Sequence, residues 1–241
     1  MRNSDPVSQR YLGSSYAESN PTWDSEDSPW KAGQVVRMLR QNRLTPQRLV
    51  EVGCGAGKVL AALRPVFPHA ELHGYDIAPD AARLWPAHAA QRIHFYTGDF
   101  LQSDTPHFDT LLLLDVLEHL TDPFEFLVGL QGRADYFMFH IPLDLSALSV
   151  LRERPLLHVR DKVGHIHYFT KGLALALLKE CHYQVIDWRY TGASVSGPRP
   201  GWKTRLAGWP RRLAYIVNKD VGVRLLGGET LMVLAKVADP P

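Results

Sequence analysis

Residues 49–58 read Leu49-Val50-Glu51-Val52-Gly53-Cys54-Gly55-Ala56-Gly57-Lys58, and this stretch decides the fold class. An apolar run followed by closely spaced glycines is typical of a strand that turns tightly into a helix, because glycine lets backbone N–H groups approach a ligand with no Cβ in the way. A phosphate-binding P-loop needs Gly-x4-Gly-Lys-Ser/Thr, but positions 52 and 59 are valine. A dinucleotide fingerprint needs Gly-x-Gly-x-x-Gly, but position 58 is lysine. The remaining pattern is Glu-x-Gly-x-Gly-x-Gly.

Short apolar runs alternate with helical patterns from residue 48 onward. The predicted strands are Arg48–Val52, Glu71–Asp76, Ile93–Thr97, Thr110–Leu114, Tyr136–Ile141, Tyr183–Arg189 and Thr230–Val237. A first helix is predicted to start at Ser28-Pro29. Four further helices are predicted at Lys58–Val66, Pro79–His88, Pro123–Gln131 and Leu173–Glu180, and Thr170 can cap the last of them. Continuous apolar runs are typical of buried parallel strands. The pattern therefore predicts an α/β, Rossmann-like, doubly wound sheet with ligands at the carboxyl ends of its strands.

The chain has 241 residues, which suits one α/β domain with additions. We expect an N-terminal flap and helix over residues 1–45, with Tyr16, Trp23 and Trp30 in the flap. The main domain then covers 46–241, with acceptor-pocket insertions at 143–168 and 192–228. The second insertion contains a basic, tryptophan-bearing, helical segment, Trp202–Leu226.

Composition indicates an ordinary globular protein, with two cysteines and a net charge of +2. No apolar run approaches the roughly 20 residues of a membrane helix, and no secretory signal is visible, so we expect a cytoplasmic protein without a membrane span. Basic residues are concentrated between 197 and 228. They form either a solvated face or a contact for an anionic substrate, nucleic acid or lipid surface.

The glycine stretch resembles motif I of class I S-adenosylmethionine-dependent methyltransferases, and the resemblance continues at the following strand ends. Asp76-Ile77 stands where the family binds the ribose, and Asp99-Phe100 stands where it contacts the adenine. Asp115-Val116-Leu117-Glu118-His119 matches its motif IV. The resemblance implies a seven-stranded, mostly parallel sheet whose last strand runs antiparallel between the fifth and sixth. It also implies S-adenosyl-L-methionine as the cofactor, bound by Glu51, Gly53, Cys54, Gly55, Gly57, Asp76, Ile77, Asp99, Phe100, Asp115, Val116 and Leu117.

Histidines are the candidate catalytic residues, because a neutral imidazole can accept a proton from an acceptor hydroxyl or amine. His119 follows motif IV, and His165 and His167 lie in Gly164-His165-Ile166-His167-Tyr168-Phe169-Thr170. This segment resembles that of the ubiquinone-biosynthesis O-methyltransferase subgroup. In an extended segment, His165 and His167 would point to one side.

A metal site is the alternative role of these residues. Some relatives bind a divalent ion through Glu-x-x-Glu-His and a distant histidine. Here the first acid is Asp115, one methylene shorter, and Glu-His after motif IV is common in metal-independent members. We therefore expect no metal.

The expected function is methylation of a small-molecule acceptor, with oxygen favoured over nitrogen or carbon. Methylation of a macromolecular or lipid-linked acceptor through the basic insertion is an alternative, and a non-catalytic cofactor-binding regulator is another. Nucleic-acid and protein N-methylation are disfavoured, because Asp115-Val116-Leu117-Glu118 replaces an Asn/Asp-Pro-Pro-Tyr string. The oligomeric state and the acceptor stay open.

Overall fold

A computed structural model describes residues 6–13, 16, 18, 20–23, 25–192, 211 and 213–238. Its sheet contains β1 (Arg48–Val52), β2 (Glu71–Asp76), β3 (Ile93–Thr97), β4 (Phe108–Leu114), β5 (Ala134–Pro142), β6 (Tyr183–Tyr190) and β7 (Thr230–Val237). The seven strands have the order β3-β2-β1-β4-β5-β7-β6. Strands β1 to β5 pair in parallel, and β7 is antiparallel to β5 and β6. The predicted fold class, including the place of the last strand, is confirmed.

Helices cover both faces of the sheet. They are α1 (Pro6–Leu12), α2 (Ser28–Gln41), α3 (Lys58–Leu63), α4 (Pro79–Ala82), α5 (Pro123–Leu130), α6 (Ala147–Arg152), α7 (Arg154–Lys162), α8 (Lys171–Glu180) and α9 (Lys219–Leu226). Residues 213–217 are also helical. The Thr170 side chain accepts a hydrogen bond from the Leu173 N–H, so the predicted cap of α8 is present.

Two predicted helices are shorter than expected because of prolines. The helix predicted over Pro79–His88 ends at Ala82, and a 3₁₀ segment follows at Trp85–Gln91. Pro86 has no N–H to donate to a continuous helix. The helix predicted over Lys58–Val66 ends at Leu63, just before Pro65, for the same reason.

The first insertion contains two helices that no sequence pattern predicted. Helix α6 starts at a reciprocal capping box between Ser146 and Ser149, and α7 follows it directly. In the second insertion, residues 193–210 and 212 lie outside the described residues, so the predicted helix Trp202–Leu226 can be compared only from 211 onward. There the structure is helical at 213–217 and in α9.

Apolar side chains from alternate positions of the strands fill the two faces of the sheet. Phe137 and Phe139 of β5 belong to the core on one face, and Met138 between them belongs to the core on the other. In the described part of the chain, no helix is long and apolar enough to cross a membrane. Both cysteines, Cys54 and Cys181, are buried and free.

Candidate functional site

A cavity of about 450 Å³ lies at the carboxyl ends of β1 to β4, where the fold predicts a ligand. Residues of the glycine stretch, the flap and the histidine segment line it together. Of the predicted site residues, those lining the cavity are Glu51, Gly53, Cys54, Gly55, Asp76, Ile77, Asp99, Phe100, Asp115, Val116, His119 and His165. Gly57, Leu117 and His167 are not among its lining residues.

The glycine loop between β1 and α3 requires glycine at specific positions. Gly53, Gly55 and Gly57 have φ values of +78°, +48° and +73°, a region that other residues rarely adopt. A Cβ on Gly53 would lie 2.6 Å from a methyl carbon of Val116, and one on Gly57 would lie 2.5 Å from the Phe95 ring. Gly57 thus shapes the loop through packing, although it does not line the cavity.

Asp76 ties the glycine loop to the end of β2. Its Oδ2 accepts a hydrogen bond of 2.7 Å from the Gly55 N–H, and its Oδ1 accepts one of 2.9 Å from the Ala78 N–H. Burial raises the pKa of this carboxyl group, while the backbone N–H donors lower it. Each carboxylate oxygen can accept a second bond. The side chain can therefore still receive ligand hydroxyls.

Glu51 is a buried carboxyl group at the end of β1. Its side chain lines the cavity, and its Oε2 has no hydrogen-bond partner. Burial raises the pKa of Glu51 to about 8, against the opposing effect of the Lys31 charge. Because an unpaired buried carboxylate is costly, a cationic ligand group at this position would relieve it.

An ion-pair network that the sequence did not indicate lies beside Glu51. Lys31 Nζ on α2 is 3.1 Å from Asp27 Oδ2 and 2.7 Å from Asp115 Oδ2. Asp115 Oδ1 is 2.6 Å from His140 Nδ1. Burial opposes the charge of Asp115, but His140 and Lys31 together hold its pKa well below the ordinary value. Each oxygen of Asp115 has a protein partner, so this residue holds Lys31 and His140 together in the cavity wall.

Glu118, His119 and His165 form a second cluster of ionisable groups in the cavity lining. The Nε2 atoms of His119 and His165 each lie 3.9 Å from Glu118 Oε1. The Glu118 side chain is buried, and both of its oxygens lack a hydrogen-bond partner. Burial and the nearby Asp115 charge raise the pKa of Glu118 well above its usual range. Burial, followed by the His165 charge, lowers the pKa of His119 to about 4.

The outer nitrogens of both imidazoles are held by oxygen atoms. His165 Nδ1 is 2.6 Å from Asp144 Oδ2, and His119 Nδ1 is 2.8 Å from the Tyr11 hydroxyl and 3.2 Å from the Gly164 carbonyl. A proton on each Nδ1 satisfies the carboxylate and carbonyl partners, and it leaves both Nε2 lone pairs facing Glu118. The acceptor residues Asp144 and Tyr11 carry no sequence motif of their own.

This cluster could hold a metal ion. One ligand atom from each of Glu118, His119 and His165 can lie within 4.8 Å of the other two. Two imidazoles and a carboxylate are a common donor set for zinc and similar cations. Bonds from the outer ring nitrogen to a carboxylate or carbonyl are also typical of metal-ligating histidines. The residues present therefore fit a divalent cation.

His167 belongs neither to this cluster nor to the cavity lining. Its Nε2 is 2.8 Å from the Leu120 carbonyl oxygen. The backbone N–H groups of Ile166 and His167 both donate to the Glu118 carbonyl, at 2.8 and 3.1 Å. The segment is not a strand, so the alternation of an extended chain does not apply to it.

Aromatic residues of the flap lie over the cavity. The ring centroids of Tyr11 and Tyr16 are 5.0 Å apart, as are those of Tyr16 and Trp23. Lys58 on α3 donates a bond of 2.8 Å to the Ser25 hydroxyl, which connects the flap to the glycine loop. Trp30 packs edge-on against His140. All of these flap residues line the cavity.

Comparison with known proteins agrees with this geometry. Residues 50–134, from β1 into β5, match a family model described as a methyltransferase domain. No curated protein sequence is significantly similar to the chain.

Similar solved structures share the fold at low sequence identity. The plantazolicin methyltransferase in complex with S-adenosylhomocysteine is 16% identical, with 97% of this chain and 96% of that chain covered and a TM-score of 0.63. Magnesium protoporphyrin IX methyltransferase from Synechocystis PCC 6803 is 15% identical, with coverage of 87% and 83% and a TM-score of 0.57. A putative sarcosine dimethylglycine methyltransferase from Galdieria sulphuraria is 15% identical, with coverage of 87% and 86% and a TM-score of 0.58.

The segment that matches the methyltransferase-domain model contains the glycine loop and three further strand ends that line the cavity. The prediction of an S-adenosylmethionine-dependent methyltransferase is thereby confirmed at the level of domain and fold.

Proposed function

We propose that this protein binds S-adenosylmethionine along the glycine loop and transfers its methyl group to a hydroxyl of a small acceptor, with His165 as the general base. The observation that carries this proposal is the single cavity that joins Glu51 and Asp76 at one end to Glu118, His119 and His165 at the other. Two of the similar structures support the choice of cofactor, because the plantazolicin methyltransferase was crystallised with S-adenosylhomocysteine and the magnesium protoporphyrin IX methyltransferase with S-adenosylmethionine or S-adenosylhomocysteine.

The cofactor side offers a partner for each part of the cofactor. Asp76 would accept hydrogen bonds from the two ribose hydroxyls. Asp99 and Phe100 would receive the adenine. The unpartnered Oε2 of Glu51 would pair with the cofactor's ammonium group. This arrangement directs the sulfonium methyl toward the histidine cluster.

His165 is the best-placed base among the three predicted histidines. It lines the cavity, and the bond between its Nδ1 and Asp144 directs the Nε2 lone pair toward the cluster. In the proposed step, the acceptor oxygen forms a bond to the methyl carbon as the carbon–sulfur bond breaks, and its proton moves to His165 Nε2. Asp144 acts as a positioning residue that stabilises the imidazolium. S-adenosylhomocysteine is the second product.

A second role for the cluster is a divalent-cation site held by Glu118, His119 and His165. The specific observation in its favour is that two Nε2 lone pairs and an unpartnered buried carboxylate converge. A bound cation would lower the pKa of a coordinated acceptor hydroxyl. The residues of the chain would then orient the acceptor, and His165 would serve as a ligand.

The flap of residues 1–45 and the insertion 143–168 supply much of the proposed acceptor pocket. Tyr11, Val163 and His165 line the cavity. None of the described residues of the second insertion, 192–228, lines it. The similar structures carry names that refer to a porphyrin, to plantazolicin and to sarcosine, so the fold accommodates very different acceptors.

An acceptor panel tests the proposal. The purified protein is incubated with S-adenosylmethionine and phenols, sugars, amines and lipid-linked hydroxyls, and S-adenosylhomocysteine release is measured. We expect release that depends on a hydroxyl acceptor. Tight cofactor binding without release on any acceptor would favour a regulator, and release on amines alone would contradict the hydroxyl assignment.

A further inference from the structure

The two insertions meet in one helical layer. Helix α6 packs against α9, and a Cβ on Gly227 at the end of α9 would lie 2.9 Å from the Ser146 hydroxyl at the start of α6. The Tyr215 hydroxyl donates to the Gly227 carbonyl, which fixes the 213–217 helix to the same end of α9. Helix α7 continues directly from α6. We call α6, α7, residues 213–217 and α9 the insertion layer.

This layer exposes an unusual amount of apolar surface. It carries eight of the sixteen exposed large hydrophobic side chains of the described residues: Val150, Leu151, Leu157, Leu213, Ile216, Val217, Val221 and Leu225. The most exposed are Leu151, Ile216 and Val217, at 85%, 81% and 87%, whereas Val128 on α5, outside the layer, reaches 52%. Single exposed apolar residues are common, but a concentration on adjoining helices indicates a contact surface.

The same helices also expose basic side chains. Exposed arginines and lysines on the layer are Arg152, Arg154, Arg160, Lys162 and Arg224. The exposed acids are Glu153 and Asp161, while Asp220 is bonded to Lys171 and Tyr190. The layer is therefore cationic as well as apolar. Short helices with both properties lie in the interface of a bilayer, where their side chains contact acyl chains and anionic headgroups.

The layer adjoins the acceptor end of the cavity. Asp144, which holds His165, lies just before α6. Val163 and His165, which follow α7, line the cavity. A surface on which this layer rests would consequently lie close to the histidine cluster.

We propose that the insertion layer is a docking surface for an anionic lipid bilayer. Charge selects this partner over a second copy of the chain, because two identical cationic layers would face each other with like charges. Docking to a bilayer also explains why the described part of the second insertion exposes apolar side chains although it does not line the cavity. The inference concerns binding and does not rest on the proposed methyl transfer.

Vesicle flotation with the full chain tests this docking. Vesicles of phosphatidylcholine alone are compared with vesicles that contain about one-third phosphatidylglycerol, at low and high salt. We expect flotation only with the anionic vesicles, and a decrease at high salt. Replacing Ile216→Glu and Val217→Glu together should lower the bound fraction by about tenfold or more, because both apolar contacts are lost and negative charge is added.

A matched pair of valines controls for folding and for general hydrophobicity. Val150 on the layer and Val128 outside it are 55% and 52% exposed. Val150→Glu should weaken flotation several-fold and Val128→Glu should not, while both retain the wild-type melting temperature. The proposal would be overturned if the two variants lost vesicle binding equally, or if the wild-type protein did not float with anionic vesicles. A dimer that dissociates in the Ile216→Glu, Val217→Glu protein, without vesicle binding, would assign the layer to a second copy instead.

Discussion

The side of the cavity that we propose for the cofactor is built from successive strand ends within residues 51–100, whereas the side that we propose for the acceptor is assembled from distant segments. On the cofactor side, the glycine loop and the strand-end residue Asp76 are joined by backbone hydrogen bonds. On the acceptor side, Tyr11, Glu118, Asp144 and His165 come from four separate parts of the chain. A local motif can therefore specify the first region, but only the tertiary fold brings the second together.

Two buried carboxyl groups of the cavity, Asp76 and Glu118, differ in their hydrogen bonds. Burial raises the pKa of both, but the Asp76 carboxylate accepts backbone N–H groups that oppose this rise. Glu118 has no such donors to its oxygens, so its burial favours the neutral acid or a ligand. The comparison predicts that substitutions on the cofactor side change affinity and that substitutions on the acceptor side change turnover.

Substitution of the proposed base should have the largest effect. His165→Gln removes the proton acceptor, so turnover should fall by roughly 10²- to 10⁴-fold with nearly unchanged cofactor affinity. Steady-state kinetics and calorimetry measure the two quantities. His167→Gln is the control, because His167 lies outside the cavity lining, and it should stay within a few-fold of wild type. Retained turnover in His165→Gln would remove His165 from the mechanism.

Substitution of the proposed ribose ligand should have the next largest effect, and on affinity. Asp76→Ala loses charge-assisted bonds to both ribose hydroxyls, which corresponds to about 1.5–3 kcal/mol, or on the order of 10- to 100-fold in Kd. Asp80→Ala on α4 is the control, because its carboxylate pairs with Arg83 outside the cavity lining. Equal affinities of Asp76→Ala and wild type would exclude the assignment.

Glu51 should show a smaller, pH-dependent effect on stability. Its folded-state pKa of about 8 lies above the ordinary value of 4.5, so its contribution to stability is lost as pH rises between these values. Glu51→Gln should therefore stabilise the unliganded protein at pH above 8 and change little below pH 4.5. About 1 kcal/mol shifts the melting temperature of a chain this size by roughly 2–4 °C, and a pKa difference of this size corresponds to more than that, so a rise of at least 2–4 °C is expected above pH 8.

Thermal melts at several pH values measure this effect. Glu71→Gln provides the contrast, because Glu71 is exposed and its hydrogen bond with Arg48 lowers its pKa. It should show no gain at high pH. A Glu51→Gln protein that is equally destabilised at every pH would contradict a raised pKa for this carboxyl group.

Removal of divalent metal ions should have the smallest effect on turnover if His165 acts as a base. Turnover should survive exhaustive treatment with EDTA, because alignment and proton removal require no Lewis acid. Metal content by mass spectrometry is measured in parallel. Loss of turnover that added magnesium, manganese or zinc restores would assign Glu118, His119 and His165 to a cation site.

The sheet could be predicted from the sequence, because glycine turns and apolar strands are local features. The positive φ at Gly53 and Gly55, the end of β2 at Asp76 and the place of Asp115 directly after β4 follow from such features. Their roles in cofactor binding stay predictions. The Lys31–Asp115–His140 network and the Asp144–His165 contact could not be predicted, since each joins elements that are distant in sequence. The absence of His167 from the cavity lining could not be predicted either, because it depends on a contact in which two successive N–H groups, of Ile166 and His167, donate to the distant Glu118 carbonyl.

Calorimetric titration of S-adenosylhomocysteine into the wild-type protein determines whether the cavity at the glycine loop is a cofactor site. We expect saturable binding at one site per chain, weakened by Asp76→Ala and nearly unchanged by His165→Gln. Absence of saturable binding to the folded protein, or equal weakening by both substitutions, would contradict this expectation.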